Sequence, residues 1–143
     1  MAFSSLPIRV VLVDDHQMVL DILERAIDPE PDIEVVGTAR SVAAGIATVE
    51  SEDPEVVVFD YHLPDGDGAS AAQCLGETRP DLKVILLTGS DQNTAVFEAA
   101  RAGCVGYLEK TEPATELVRM IRAVHAGGVC IPDGGLEILS FVL

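Results

Sequence analysis

Three carboxylates, a hydroxyl and an ammonium stand out in this chain for where they fall. Asp14 and Asp15 follow the apolar run Ile8 to Val13, Asp60 follows Val56 to Phe59, Thr88 follows Lys83 to Leu87, and Lys110 comes just after Val105 to Leu108. Runs of this kind, apolar without alternation, are what strands buried on both faces of a parallel sheet look like. Ligands of open α/β sheets sit beyond the carboxyl ends of the strands, so these polar residues are expected together on one edge. Three carboxylates gathered there repel one another, and at least one pKa should rise unless a cation intervenes. Oxygen ligands with an incomplete protein shell suit Mg²⁺, which keeps several waters and bridges carboxylates to phosphoryl oxygens. The chemistry expected is metal-assisted phosphoryl transfer with Mg²⁺ as cofactor. Lys110 would pair with Asp60 or with a phosphoryl oxygen bound to it, and Thr88 would donate to the same group.

Taken singly, each residue has an ordinary reading. Asp60 could merely cap a turn beside Pro64 and the Asp-Gly pairs, Lys110 could be a surface cation, and Thr88 a strand-end residue bonding locally. Their convergence is what favours a site.

The elements that must position them alternate along the chain. Ile8 to Val13 predicts a first strand, and Val19, Leu23, Ala26 and Ile27 recur at helical spacing after it. Asp28-Pro29-Glu30-Pro31-Asp32 stops that helix before a strand over Ile33 to Val36. Ser41 can cap a helix carrying Val42, Ile46 and Val49 on one face, closed by Asp53-Pro54. A third helix over Ala69 to Gly76 follows the Asp60 strand, and Asp91 can cap a fourth that reaches Ala102, with Gly103 as its terminator. Pro113 stands near the start of a fifth, whose Leu117, Ile121 and Val124 share a face and which Gly127-Gly128 ends. Five strands alternating with five helices predict a doubly wound α/β fold: a five-stranded parallel sheet with helices on both faces. The segment after Gly128 starts extended and ends in the apolar run Leu136 to Leu143, expected to pack on something.

A length of 143 residues fits one domain with a core that needs no disulfide or structural metal. A formal net charge of -15 argues against direct contact with nucleic acid or an anionic membrane, because phosphates are held by Lys and Arg. Aromatic residues are only 4% with no Trp, so a base-stacking platform is not expected. Cys74, Cys104 and Cys130 form no CxxC pair and read as small hydrophobes in a reducing cytoplasm. No secretory leader or membrane-spanning run is evident, so a cytoplasmic location is expected.

Two motifs are set aside. Asp65-Gly66-Asp67-Gly68 opens like a calcium loop, but Ala69 and Gly76 fall where ligands should be. His16, His62 and His125 share no metal-binding spacing, and His125 reads as a helix-end residue.

Asp14-Asp15, Asp60 with Pro64 and Asp67-Gly68, Thr88, and Gly106-Tyr107-Leu108-Glu109-Lys110 together resemble the receiver domain of bacterial two-component response regulators. Val11-Leu12-Val13-Asp14-Asp15-His16 looks particularly like the NarL/FixJ branch, whose members usually carry a C-terminal helix-turn-helix. The resemblance implies the flavodoxin-like receiver fold over residues 8–128, with 129–143 a tail or the start of a linker to an effector domain. It further implies that Asp60 accepts a phosphoryl group from a phosphohistidine on a sensor histidine kinase. Asp15, Asp60 and the backbone carbonyl of His62 would bind Mg²⁺, Asp14 acting through water or hydrogen bonds, and Lys110 would contact the phosphoryl group. Thr88 and Tyr107 would be switch residues that repack the face of the fourth helix, fifth strand and fifth helix. A homodimer through that face, or through the first and fifth helices, is an assembly the resemblance allows, with the oligomeric state left open by the sequence. His62 and Ser90 occupy positions that flank the acyl phosphate and vary within the family. Output is expected to be transcription through a DNA-binding domain outside this chain, with a stand-alone receiver acting by protein contacts as the alternative. A phosphatase with an Asp nucleophile would want Asp-x-Asp-x-Thr after the first strand, where this chain has Asp14-Asp15-His16-Gln17-Met18.

Overall fold

A computed structural model describes residues 6–89 and 93–131. In chain order the elements are β1 (Ile8–Val13), α1 (Gln17–Ile27), β2 (Ile33–Ala39), α2 (Val42–Glu52), β3 (Val56–Asp60), β4 (His62–Leu63), β5 (Gly66–Asp67), α3 (Gly68–Thr78), β6 (Lys83–Thr88), α4 (Asn93–Arg101), β7 (Gly106–Glu109) and α5 (Ala114–His125). Five strands form one sheet in the order β2-β1-β3-β6-β7, every pairing parallel. The fourth helix and fifth strand expected from the sequence are α4 and β7. Asp91, Ser90 and the apolar run Leu136 to Leu143 lie outside the described residues.

The unbroken apolar strands have the expected cause, for alternate side chains go to opposite faces and both faces are covered. Val11, Val13, Val57, Phe59 and Leu86 pack with residues of α2, α3 and α4, including Val49, Ala72, Leu75 and Ala99. Val10, Leu12, Val58, Ile85 and Leu87 pack with Leu20 and Leu23 of α1 and with Leu117, Ile121 and Val124 of α5. Phe59, wholly buried, ends the apolar part of β3 and brings Asp60 to the strand tip.

Helix termini follow the sequence cues closely. Ser41 is the N-cap of α2, its hydroxyl accepting the Ala44 amide at 3.1 Å. Asp53 ends the same helix in the left-handed conformation at φ 50°. Pro113 is itself the N-cap residue of α5, one place before the first helical position. Two features were not anticipated. The turn after Asp60 forms a small antiparallel hairpin, β4 with β5, pairing His62 with Asp67 and Leu63 with Gly66. Beyond α5 the chain joins the sheet: Tyr107 N–H donates to the Cys130 carbonyl at 2.9 Å and Cys130 N–H to the Val105 carbonyl at 2.7 Å. Among the described residues, no helix is long and apolar enough to cross a membrane.

Candidate functional site

The tips of β1, β3, β6 and β7 bring Asp14, Asp60, Thr88 and Lys110 to one edge of the sheet, as the sequence predicts. Asp14, Asp60 and Thr88 are the buried polar residues among those described, at 0%, 3% and 2% exposure, so the edge is a recess and not a solvated rim. Burying carboxylates is costly unless they are paired and hydrogen-bonded. The pairing group is Lys110, whose Nζ lies 2.8 Å from Asp14 Oδ2 and donates to Asp60 Oδ2 at 3.0 Å. Lys110 is held for this by its backbone, since its amide donates to the Thr88 carbonyl at 2.7 Å.

Asp14 Oδ1 accepts the His16 backbone amide at 2.9 Å, which folds the β1–α1 turn around the acid. Asp15, the next residue, is half-buried, and its Oδ1 is shielded from water without accepting a hydrogen bond. One carboxylate oxygen of each of Asp14, Asp15 and Asp60, together with a ring nitrogen of His16, all lie within 4.8 Å of one another.

Burial pushes the Asp60 carboxyl up from the usual range. Lys110 and the His62 backbone amide pull it down, and the charge on Asp14 adds to the rise. For Lys110, burial works against the charged form, but the hydrogen bonds to Asp14 and Asp60 win and raise its pKa. Asp14 and Asp60 thus share one lysine, and the remaining negative charge, together with the Asp15 carboxylate grouped within 4.8 Å of them, fits a divalent cation with oxygen ligands.

His62 begins β4, two residues beyond Asp60, at the edge of the recess. Tyr107 lies in β7, buried at 4%, opposite Leu86 of β6. It is not among the groups clustered on Asp60, and its backbone is bonded to Cys130 beyond α5.

Several contributors were not identified from the sequence. Arg40, at the end of β2, donates Nε and Nη2 to the Asp15 carbonyl at 3.2 and 2.9 Å and so fixes the β1–α1 turn from the neighbouring strand. Asp65, in the turn of the β4–β5 hairpin, accepts the Val42 amide at 2.7 Å and the Ala43 amide at 3.0 Å, tethering the loop after Asp60 to the start of α2. Asp67 caps α3 through the Ser70 amide at 2.7 Å. The acids that imitate a calcium loop are therefore helix caps, and the overlap in composition arises because both tasks need short carboxylates in a turn. His16, set aside for lack of spacing, stands against the carboxylates because the turn folds its ring back. The Tyr61 hydroxyl donates to the Glu98 carboxylate on α4. Nothing in the local sequence signals this last pairing.

The arrangement has well-defined relatives. The sequence profile described as "Response regulator receiver domain" matches residues 10–122. The DNA-binding transcriptional activator DevR/DosR of Mycobacterium tuberculosis is 38% identical over 120 residues, covering 84% of this chain and 55% of that protein. The transcriptional regulatory protein LiaR of Bacillus subtilis is 35% identical over 120 residues, covering 84% and 57%. The chain thus spans about half the length of the curated relatives it matches. In three dimensions it is similar to the signal receiver domain of a NarL response regulator from Mycobacterium tuberculosis, with a TM-score of 0.82, 29% identity, and 86% and 99% of the two chains covered. A LuxR-family two-component response regulator from Aurantimonas sp. SI85-9A1 superposes with a TM-score of 0.85 at 26% identity, over 95% and 97%.

Proposed function

Given that the chain belongs to the response regulator receiver family, whose general function is switching driven by phosphorylation, we propose that Asp60 is the phosphoacceptor and residues 8–128 the receiver domain. The observation that supports this best is the placement of the Asp60 carboxylate in a recess with one lysine and two further acids. In the reaction, an Asp60 carboxylate oxygen attacks the phosphorus of a phosphohistidine on a sensor histidine kinase. A new O–P bond forms as the N–P bond breaks, and the leaving imidazole keeps its electron pair and takes up a proton. Lys110 already sits on the Asp60 oxygen and is placed to pair with the incoming phosphoryl group, whose charge it meets in a site largely closed to water.

Asp15, Asp60 and the His62 carbonyl would hold Mg²⁺, with Asp14 orienting the turn and acting through water or hydrogen bonds. When bound, the ion supplies positive charge against phosphoryl oxygens. The chain's own contribution is to bury Asp60, to keep Lys110 charged and to hold the acids close together before any ligand arrives.

Thr88 is the candidate for sensing the new group because it is buried at the tip of the strand next to β3, and its carbonyl already carries the Lys110 amide. Movement there would pass to Tyr107 in the adjacent β7, shifting the population between two packings of α4, β7 and α5. Partners in this reading are the kinase and a second copy of the chain, through that face or through α1 and α5. The output is transcription, exerted through a DNA-binding domain outside these 143 residues, as the descriptions of the curated relatives suggest. The receiver itself, at a net charge of -15, would not contact DNA.

Acetyl phosphate provides the test. Intact mass spectrometry should show one phosphoryl adduct with Mg²⁺, absent in Asp60→Asn and after EDTA. An adduct undiminished by both treatments would move the chemistry to another residue.

A further inference from the structure

We propose that His16 is a ligand of the acidic site, and that its imidazole makes the site favour nitrogen-binding transition ions such as Co²⁺ over Mg²⁺. This deepens the reading above and rests on it, since it requires Asp15 and Asp60 to hold a divalent cation.

The distances carry the assignment. His16 Nδ1 lies 3.2 Å from Asp14 Oδ1 and 3.1 Å from Asp15 Oδ1. Two neighbouring ligands of an octahedral ion, each about 2.0–2.1 Å from it, are themselves about 3 Å apart. The imidazole nitrogen therefore keeps from Asp15 the spacing that two ligands on one ion would have, and the Asp60 oxygen falls within the same 4.8 Å group. The backbone that delivers the ring is fixed on both sides. The His16 amide is bonded to Asp14 Oδ1 at 2.9 Å, and Arg40 holds the Asp15 carbonyl at 2.9 Å. With its side chain 65% exposed, the ring has room to turn toward an arriving ion.

Chemistry then sets the preference. Mg²⁺ takes oxygen ligands and gains little from an imidazole, whereas Co²⁺ lies higher in the first-row affinity order and accepts nitrogen with carboxylates. His16 would thus determine specificity: Mg²⁺ binding should hardly depend on it, and Co²⁺ binding should.

The experiment uses the 143-residue chain and its His16→Gln variant, which keeps a side-chain N–H donor for the carboxylates. Calorimetry gives the Kd for Mg²⁺ and Co²⁺, and proton NMR of the Co²⁺ form looks for strongly shifted imidazole signals. The expected result is that shifted imidazole signals appear, vanish when excess Mg²⁺ displaces Co²⁺, and are missing in His16→Gln. The Co²⁺ Kd should also weaken by at least the about tenfold that losing even an outer-shell partner can cost, with the Mg²⁺ Kd unchanged. Co²⁺ that competes with Mg²⁺ but shows no shifted imidazole signal, or shows one that survives His16→Gln, would overturn the proposal and leave His16 as a hydrogen-bond donor to the acids. If neither ion binds in a manner sensitive to Asp60→Asn, the underlying metal site itself is wrong, and the proposal goes with it.

Discussion

Tyr61, the residue immediately after Asp60, is hydrogen-bonded through its hydroxyl to Glu98 of α4, so the exit of β3 is tied to the helix expected to repack on switching. Its ring also meets that of His62 edge-on, with centroids 4.7 Å apart. The Glu98 carboxylate keeps the phenol protonated, which with partial burial raises its pKa from 10.0 to about 12. A raised folded-state pKa means that the bond's stabilisation is complete below the unfolded value and is lost as pH climbs through the folded one. The window runs from about pH 10 to about 12. Phenolate absorbance should show a tyrosine titrating late, and Tyr61→Phe should remove that step. A wild-type titration that is complete near the ordinary phenol value would show that the Glu98 bond is not made in solution.

Asp65 should matter for metal affinity although it is no ligand. Its bonds to the Ala43 and Val42 amides hold its carboxyl below the ordinary value, so what it contributes is present above about pH 4 and is lost as pH falls through the lowered pKa. Asp65→Ala should lower the Tm at neutral pH and weaken Mg²⁺ binding about tenfold by releasing the loop that carries His62. Ser41→Ala removes a cap from the same helix without touching the loop, so it should cost about 1 kcal/mol of stability and leave Mg²⁺ affinity as it was. Equal Mg²⁺ affinities for the two variants would reduce Asp65 to a helix cap.

Mg²⁺ should stabilise the fold by simple linkage, about 2.7 kcal/mol at a hundred times its Kd. The gain, read as a shift in the urea midpoint, should shrink in Asp15→Asn and disappear in Asp60→Asn. A shift that survives both substitutions would place the ion elsewhere.

Lys110→Ala should fold but lose some stability without metal. Removing the ammonium leaves Asp14 and Asp60 facing each other in a recess, an effect on the order of 1–3 kcal/mol. The larger consequence should be functional. The variant should take up phosphate slowly and lose the conformational change that follows, which tryptophan-free near-UV CD or amide NMR can report. An unchanged phosphorylation-induced spectrum would remove Lys110 from the switch.

Gly68 allows α3 to begin directly against the end of β3, its amide donating to the Tyr61 carbonyl at 2.9 Å. A Cβ there would run into the carbonyl oxygen of Asp60 and come within 2.9 Å of the Leu86 side chain. Backbone cannot yield as a flexible side chain can, so Gly68→Ala should cost about 1–3 kcal/mol and displace Asp60. Denaturant unfolding and the rate of adduct formation should both register it, and a variant normal in both would mean that α3 shifts freely.

The positions of Asp14, Asp15, Asp60, Thr88 and Lys110 at strand tips were legible in the sequence for a local reason. A strand buried on both faces must be apolar throughout, so the polar residues that follow each run mark the strand's carboxyl end, and parallel connections then bring those ends to one edge. The helix limits at Ser41, Asp53 and Gly103 were legible because caps depend on one or two residues and their neighbours. What tertiary structure decided depends on how separate segments meet. That Lys110 lies between Asp14 and Asp60, and not on either alone, follows from its amide being fixed to Thr88 across the β6–β7 register. That Asp65 caps α2, that Arg40 holds the turn after Asp14, and that Tyr61 reaches Glu98 are contacts between residues more than twenty positions apart, set by loop paths and rotamers. The β4–β5 hairpin has two residues per strand, too few for any period to show. The return of Cys130 to the edge of β7 was hidden for a related reason, because an extended segment takes its place from the unpaired amides and carbonyls of the neighbouring strand, and those exist only once the sheet has formed.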